Sequence, residues 1–345
     1  MTAPALGSRR HAVRDLADAL EFCHAQGWTD GLPVVPPTVE SVRVMLEAAE
    51  LDPGHEIAYV AHRAVSITAE KVAINAVMAG CKPEYLPVVV AAIEGIGDPL
   101  WSYHGPGTST AGAAVLIVVN GPVARQLDVN CGDNLFGPGW RANLTIGRAV
   151  RLVMRNVCGS RPGTLDRSTL GHPGRLSCVI AENEAESPWT PLHVERGFKK
   201  EQSTVTVMAA QGPHQFYNQL SNTAEGILTT CADDMRISGG IMGQPEYVVC
   251  IAGEHMKTIA ADGWTKAEIR KFLFEKTHSS HEHLKRTQRM SGAVQPGDDK
   301  KMRPLVAAPE DIMILAAGGN AGAFSAYIPG WGSKRSSQAV TKEVK

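Results

Sequence analysis

Apolar and polar positions along this chain follow two periods, helical and strand-like, that replace one another from segment to segment. Residues 10–26 place apolar Val13, Leu16, Ala17 and Leu20 on one helical face, and Gly27 closes that helix. Thr38 is set to cap a helix over 39–49 and Thr68 one over 69–79. Pro83 is set to start a third, reaching about residue 96. Residues 113–119, AAVLIVV, then form an unbroken apolar run bordered by glycine and by Asn120-Gly121-Pro122. That length and β-branched content predict a strand buried on both faces. Runs at 177–181, 204–209, 247–252 and 312–316 predict further strands, and helical patterns at 188–197, 223–235, 254–261 and 266–276 separate them. The alternation predicts an α/β fold, a mixed sheet with flanking helices.

The stretch 130–159, NCGDNLFGPGWRANLTIGRAVRLVMRNVCG, adds the strongest local signal. Gly132, Gly137, Pro138 and Gly139 make a loop that opens a helix at Trp140. Arg141, Arg148, Arg151 and Arg155 follow at spacings of seven, three and four, near one helical face. Ile146, Val150, Val153 and Val157 form a separate apolar stripe. A glycine loop feeding a helix N-terminus, with arginines beside it, suits an anion. The same pattern also describes an amphipathic helix with a solvated basic face. The polar segment 160–174 marks a boundary between a lobe over 1–160 and an α/β lobe over 161–330, with a cleft between them. Residues 277–304 read as a mobile arm, and 331–345 as a flexible tail.

Composition narrows the classes. The chain has 345 residues, of which 43% are hydrophobic, so it can build a sizeable core. A net charge of −1 makes no electrostatic case for nucleic acid or an anionic membrane. No apolar run approaches the ~20 residues of a spanning helix, and the expected compartment is the cytoplasm. The seven cysteines, Cys23, Cys81, Cys131, Cys158, Cys178, Cys231 and Cys250, contain no CxxC pair. That argues against a disulfide framework and a structural zinc site.

Several residues carry candidate chemistry. Asp30, in the stiff segment GWTDGLPVVPPT, is either held for proton transfer or closes an Asx turn on its own backbone. Cys81 lies between Gly80 and Pro83, near a helix start that favours thiolate; the other reading is a buried linker thiol. Cys131 opens the glycine loop and would share its anion site. His104 precedes the 113–119 strand, on the side where α/β proteins seldom bind ligands. Glu182, Glu184 and Glu186 follow a strand, with His193 shortly after; they suit acid/base or metal chemistry, or simply an acidic helix start. His278, His281 and His283 fit no zinc spacing. The turn from Gly318 to Ser325 resembles an anion-binding loop, but GxGxxG and GxxxxGK[ST] are both missing, so no nucleotide cofactor is indicated.

Taken together, GWTDGLPVVPPT, NAVMAGCKPEYLPVV, VNGP, GPGWRANLTIGRAVRLV, AENEAESPW and the glycine turn before IPGWG resemble one bacterial family. Its members are encoded beside, or linked to, proteins with a UGSC or CGSC motif whose first residue is selenocysteine or cysteine. The resemblance implies a two-component system with reactive sulfur or selenium in the partner, and gives no settled reaction. It marks Asp30, Asn75, Cys81, Asn120, Arg141, Asn143, Arg148, Glu182, Asn183, Glu184 and Trp189.

The expected function is a small-molecule enzyme that cleaves or exchanges a carbon–heteroatom bond of a small anionic substrate, as a lyase, hydrolase or reductase component. Arg141 and Arg148 would bind the charge, and Asn75, Asn120 and Asn143 would orient the molecule. Cys81 would be the nucleophile or redox thiol, and Glu182, Glu184 or Asp30 would move protons. Two alternatives stand beside it: the binding subunit of a heteromeric complex, and a metal-dependent hydrolase built on Glu182, Glu184 and His193.

Overall fold

The computed structural model describes residues 5–238 and 243–345. In chain order the α-helices are α1 Leu16–Ala25, α2 Val39–Ala48, α3 Ala69–Ala79, α4 Leu86–Gly97, α5 His104–Thr108 and α6 Pro122–Gln126. They continue with α7 Arg141–Asn156, α8 Leu192–Glu195, α9 Ala224–Ser238, α10 Gly253–Ala261, α11 Lys266–Lys276 and α12 His281–Arg286. The strands are β1 Glu56–Val60, β2 Val65–Thr68, β3 Ala114–Asn120, β4 Val179–Ala181, β5 Thr204–Ala210 and β6 His214–Tyr217. They continue with β7 Tyr247–Ile251, β8 Ser279–Ser280, β9 Met302–Arg303, β10 Ile312–Ala316, β11 Phe324–Pro329 and β12 Val340–Glu343.

Two four-stranded mixed sheets carry the fold, in the orders β12-β5-β3-β4 and β10-β7-β11-β6. Strand alternation shows how they stack. In β3, Val115, Ile117 and Val119 face a core shared with α2, α3, α4 and α7, whereas Leu116 and Val118 face the second sheet. In β7, Tyr247, Val249 and Ile251 face α9, α10 and α11, whereas Val248 and Cys250 meet the first sheet. The order of layers is helices, sheet, sheet, helices. Strands β3, β7 and β10 are buried on both faces, which is why they read as nearly continuous apolar runs. The α/β expectation holds. No helix of the described residues is long and apolar enough to cross a membrane.

Three boundary expectations are corrected. The division near residue 160 does not separate the sheets, because β4, β5 and β12 from the second half complete the sheet of β3. Where a cleft between lobes was expected, the sheets share an apolar layer, and Gln211 N–H donates to Pro329 O at 2.9 Å to stitch them. Residues 331–345 are no loose tail: β12 pairs with β5, and Thr341 Oγ1 meets Thr206 Oγ1 at 2.8 Å. The polar arm 277–304 is pinned by Asp298, which accepts from Lys285 Nζ at 2.7 Å and Gln295 N–H at 2.8 Å. Local caps are mixed. Thr38 caps α2 with Ser41 as expected, while Thr68 makes no side-chain cap on α3.

Candidate active site

The sequence candidates separate into two groups on opposite sides of α7. The first holds Asp30, Asn75, Cys81, Arg141 and Arg148. Arg148 grips the Asp30 carboxylate with two hydrogen bonds, 2.7 and 2.8 Å, and donates to Pro33 O at 2.9 Å. Burial pushes the Asp30 carboxyl up, but the hydrogen bonds and charge of Arg148 outweigh it and hold the group below its ordinary value. Arg141 closes both Nε and Nη2 on Gly80 O, at 3.0 and 2.8 Å, satisfying a helix-end carbonyl at a left-handed cap. Asn75 donates to Lys71 O and accepts from Asn156 Nδ2, both at 2.8 Å. These side chains lock the 27–38 segment and α3 onto α7. Nε and Nη2 of both arginines and both ends of the Asn75 amide are engaged by protein atoms, which gives these side chains a holding role within the fold where charge binding and substrate orientation were expected.

Cys81 lies beside the arginines but is only 6% exposed. Burial pushes its thiol up to about 12, against the smaller opposing effects of Thr145, Arg141 and Arg148. At neutral pH it is a protonated, covered thiol, so the nucleophile assignment is corrected too. The helix start that was to activate it does not outweigh the cost of burying the thiolate.

Asn143 points the other way from α7. Its Oδ1 accepts Asn130 N–H and its Nδ2 donates to Val179 O, each at 2.8 Å, so it ties the glycine loop to β4 rather than orienting a ligand. That side of the helix leads to the second group, at the carboxyl ends of the parallel strands β3 and β4. Asn120 ends β3, and Gly121 turns the chain with φ +82, where a Cβ would strike the Gln202 carbonyl. Glu182 and Glu184 follow β4. Glu182 is fully engaged: Oε2 accepts Asn120 Nδ2 at 2.8 Å and Leu192 N–H at 2.7 Å, and Oε1 takes Lys266 Nζ at 3.0 Å. Lys266 also reaches Glu195, which pairs with Arg270 at 2.8 Å.

Glu184 differs. Its Oε1 accepts Asn120 Nδ2 at 3.0 Å and Gly121 N–H at 2.7 Å, while Oε2 has no hydrogen-bond partner among the described residues. His193, fully buried, turns Nδ1 toward Glu184 Oε1 at 3.7 Å and Nε2 toward Lys200 O at 3.4 Å. Nδ1 has no other partner, and the nearby Asn120 Oδ1 and Thr204 Oγ1 are also buried without one. Asn120 and Thr204 are direct cross-strand neighbours.

The carboxyl end of the second sheet's parallel pair joins the same edge. Asn183 N–H donates to Ala316 O at 2.7 Å, Gly318 N–H to Cys131 O at 2.9 Å, and Asn320 Nδ2 to Glu186 Oε2 at 3.1 Å. The glycine turn after β10 therefore packs against acids; a Cβ on Gly319 would run into the Asp133 carboxylate. Asp133, Glu184, Glu186 and Glu254 have no lysine or arginine ion pair among the described residues. Burial and the charges of Glu186 and Glu184 push the half-buried Cys131 thiol up, so it is no activated thiolate. A polar cavity of about 280 Å³ lies at the end of β7, lined by Asn218, Glu254, His255, Thr258 and Gly322. His255 is held there by Ser325 Oγ at 2.8 Å and Asn218 O at 3.2 Å, and burial keeps its pKa low. A second, largely apolar cavity of about 480 Å³ lies between the glycine loop and 172–179.

With Glu182 occupied by Lys266, Asn120 and a backbone N–H, the set Glu182, Glu184 and His193 is not free to hold a metal. No group of three or more His, Cys, Asp or Glu side chains among the described residues is arranged to do so. Sequence reading missed Lys266, which looked only like a helix start, and Thr204, which looked only like a strand residue. The chain matches no protein-family model, no curated protein and no solved structure.

Proposed function

We propose that this protein is a small-molecule enzyme that moves a proton in cleaving a carbon–heteroatom bond, with Glu184 as the acid/base group. The observation that carries this is the state of the candidate acids. Asp30 and Glu182 are bound on both oxygens by donors, whereas Glu184 keeps one free oxygen on a half-buried side chain at the carboxyl ends of β3 and β4. His193 sits behind it. If Nε2–H donates to Lys200 O, the Nδ1 lone pair faces a carboxylate oxygen, an arrangement relieved when one proton lies between them. The pair can thus hold a proton at Glu184 Oε1 or His193 Nδ1 and pass one at Glu184 Oε2. Asn120 and the Gly121 N–H fix the carboxylate, and the Glu182–Lys266 pair fixes Asn120.

The unpaired acids along this edge select a neutral or cationic substrate, such as an amine or amide, over the anion first expected. The test incubates purified protein in D₂O with a panel of small amines, amides and carbonyl compounds and follows C–H exchange and bond cleavage by proton NMR. Glu184→Gln is expected to lower the rate by about 10²–10⁴-fold. Unchanged turnover in Glu184→Gln, or saturable binding of panel members with no exchange or cleavage, overturns the reading. The second outcome is the one a binding subunit gives.

A further inference from the structure

Three large apolar side chains from three separate segments stand around one opening. Phe136 comes from the glycine loop, Leu144 from α7 and Leu176 from the turn before β4, and each leaves a large share exposed, 40%, 39% and 40%. They line the cavity of about 480 Å³, whose buried lining includes Leu135 and Cys178. Ser177 and Cys178 lead into β4, and Gly212 and Pro213 follow β5, whose last residue Ala210 pairs with Ala114 at the start of β3. The cavity therefore lies at the opposite end of β3 from Asn120 and Glu184. Hydrogen bonds hold both of its walls. Asn134, at φ +54, accepts Gly137 N–H on its carbonyl at 2.8 Å and donates its amide to Pro138 O at 2.8 Å, which fixes the turn that presents Phe136. Ser177 Oγ donates to Asn143 O, which ties the 172–179 wall to α7.

Among the described residues no Asp, Glu, Lys or Arg lines this cavity, which suits an uncharged ligand. His172 supplies a polar edge. Its ring lies against Gly174 and Gly212, which line the same cavity; a Cβ on them would come to 3.1 and 3.4 Å from Nδ1. That puts the Nδ1 edge at the cavity wall, while Nε2 is buried. Burial outweighs the Ala210 carbonyl and keeps the ring uncharged at neutral pH. With its one proton on Nε2, the ring accepts a hydrogen bond at Nδ1. Phe136 favours a flat ring as its neighbour over an alkyl chain. Largely apolar cavities of roughly 300–1,000 Å³ with a few placed polar groups are the common form of small-molecule sites. We propose that this cavity binds a small uncharged aromatic molecule carrying one hydroxyl or N–H, its ring among Phe136, Leu144 and Leu176 and its donor on His172 Nδ1. This site is separate from Glu184, and its failure leaves the acid/base reading untouched.

The test titrates phenol and, separately, toluene into the full chain, following heat of binding and the thermal unfolding midpoint. Both are expected to bind saturably. Leu176→Glu, at an exposed position, is expected to raise the half-saturating concentration of phenol at least tenfold. Leu220→Glu, at a fully exposed leucine outside the cavity, is expected to leave it unchanged. His172→Phe keeps a ring but removes Nδ1. It is expected to weaken phenol by about three- to tenfold, the worth of one net hydrogen bond, and to change toluene less than twofold. Failure of either probe to saturate, equal effects of Leu176→Glu and Leu220→Glu, or equal weakening of phenol and toluene in His172→Phe overturns the proposal. A dimer in sedimentation that Leu176→Glu breaks, with no phenol bound, assigns the opening to a second copy of the chain and overturns it as well.

Discussion

Removing Lys266 tests whether Glu182 is a fixed ion rather than a working acid. Lys266 is 4% exposed, and the Glu182 side chain is fully covered. In Lys266→Met the carboxylate keeps Asn120 Nδ2 and the Leu192 N–H but loses the one cation paired with it among the described residues. Breaking a buried pair from one side leaves an uncompensated charge, at a cost of about 3–5 kcal/mol. Glu182→Gln is expected to cost less, about 1–3 kcal/mol, because Lys266 still has Glu195 at 3.2 Å. The double variant removes both charges, so its loss is expected to fall short of the sum by about 0.5–3 kcal/mol. Equilibrium urea unfolding at neutral pH measures all three. The reasoning fails if Lys266→Met costs under about 1 kcal/mol, if Glu182→Gln is the more damaging change, or if the two losses simply add.

Alkylation followed by mass spectrometry is expected to leave Cys81 unmodified in the native protein at pH 8, with half-buried Cys131 modified first; rapid modification of Cys81 below pH 8 contradicts its burial. Asp30→Asn is expected to cost about 1–3 kcal/mol at pH 7, since it weakens a charge-assisted pair with Arg148. The Asp30 carboxyl sits lower in the folded chain than in the unfolded one. Its contribution is therefore complete above the ordinary value of about 3.9 and fades as pH falls through the folded value. The stability gap between wild type and Asp30→Asn is expected to close on acidification from pH 7, and a gap that stays constant or widens rules out the sign.

Local periodicity was enough to locate β3, β5, β7 and β10, the Thr38 cap and α11, because burial on both faces and capping chemistry leave their mark within a few residues. It also marked Asn120, Glu182 and Glu184, since strand ends in an α/β fold are where polar side chains gather. Burial and partnership were decided by the tertiary structure. Nothing near Cys81 announces that Thr145 and α7 cover it, and nothing near Lys266 announces Glu182, 84 residues away. Four arginines on one helix looked alike in sequence. Packing bound two of them to Asp30 and Gly80 O, and turned Arg151 toward Asp166. A side chain's chemistry depends on its dielectric surroundings and on which donors and acceptors are already matched. Those are set by contacts between segments far apart in the chain, which spacing along it does not encode.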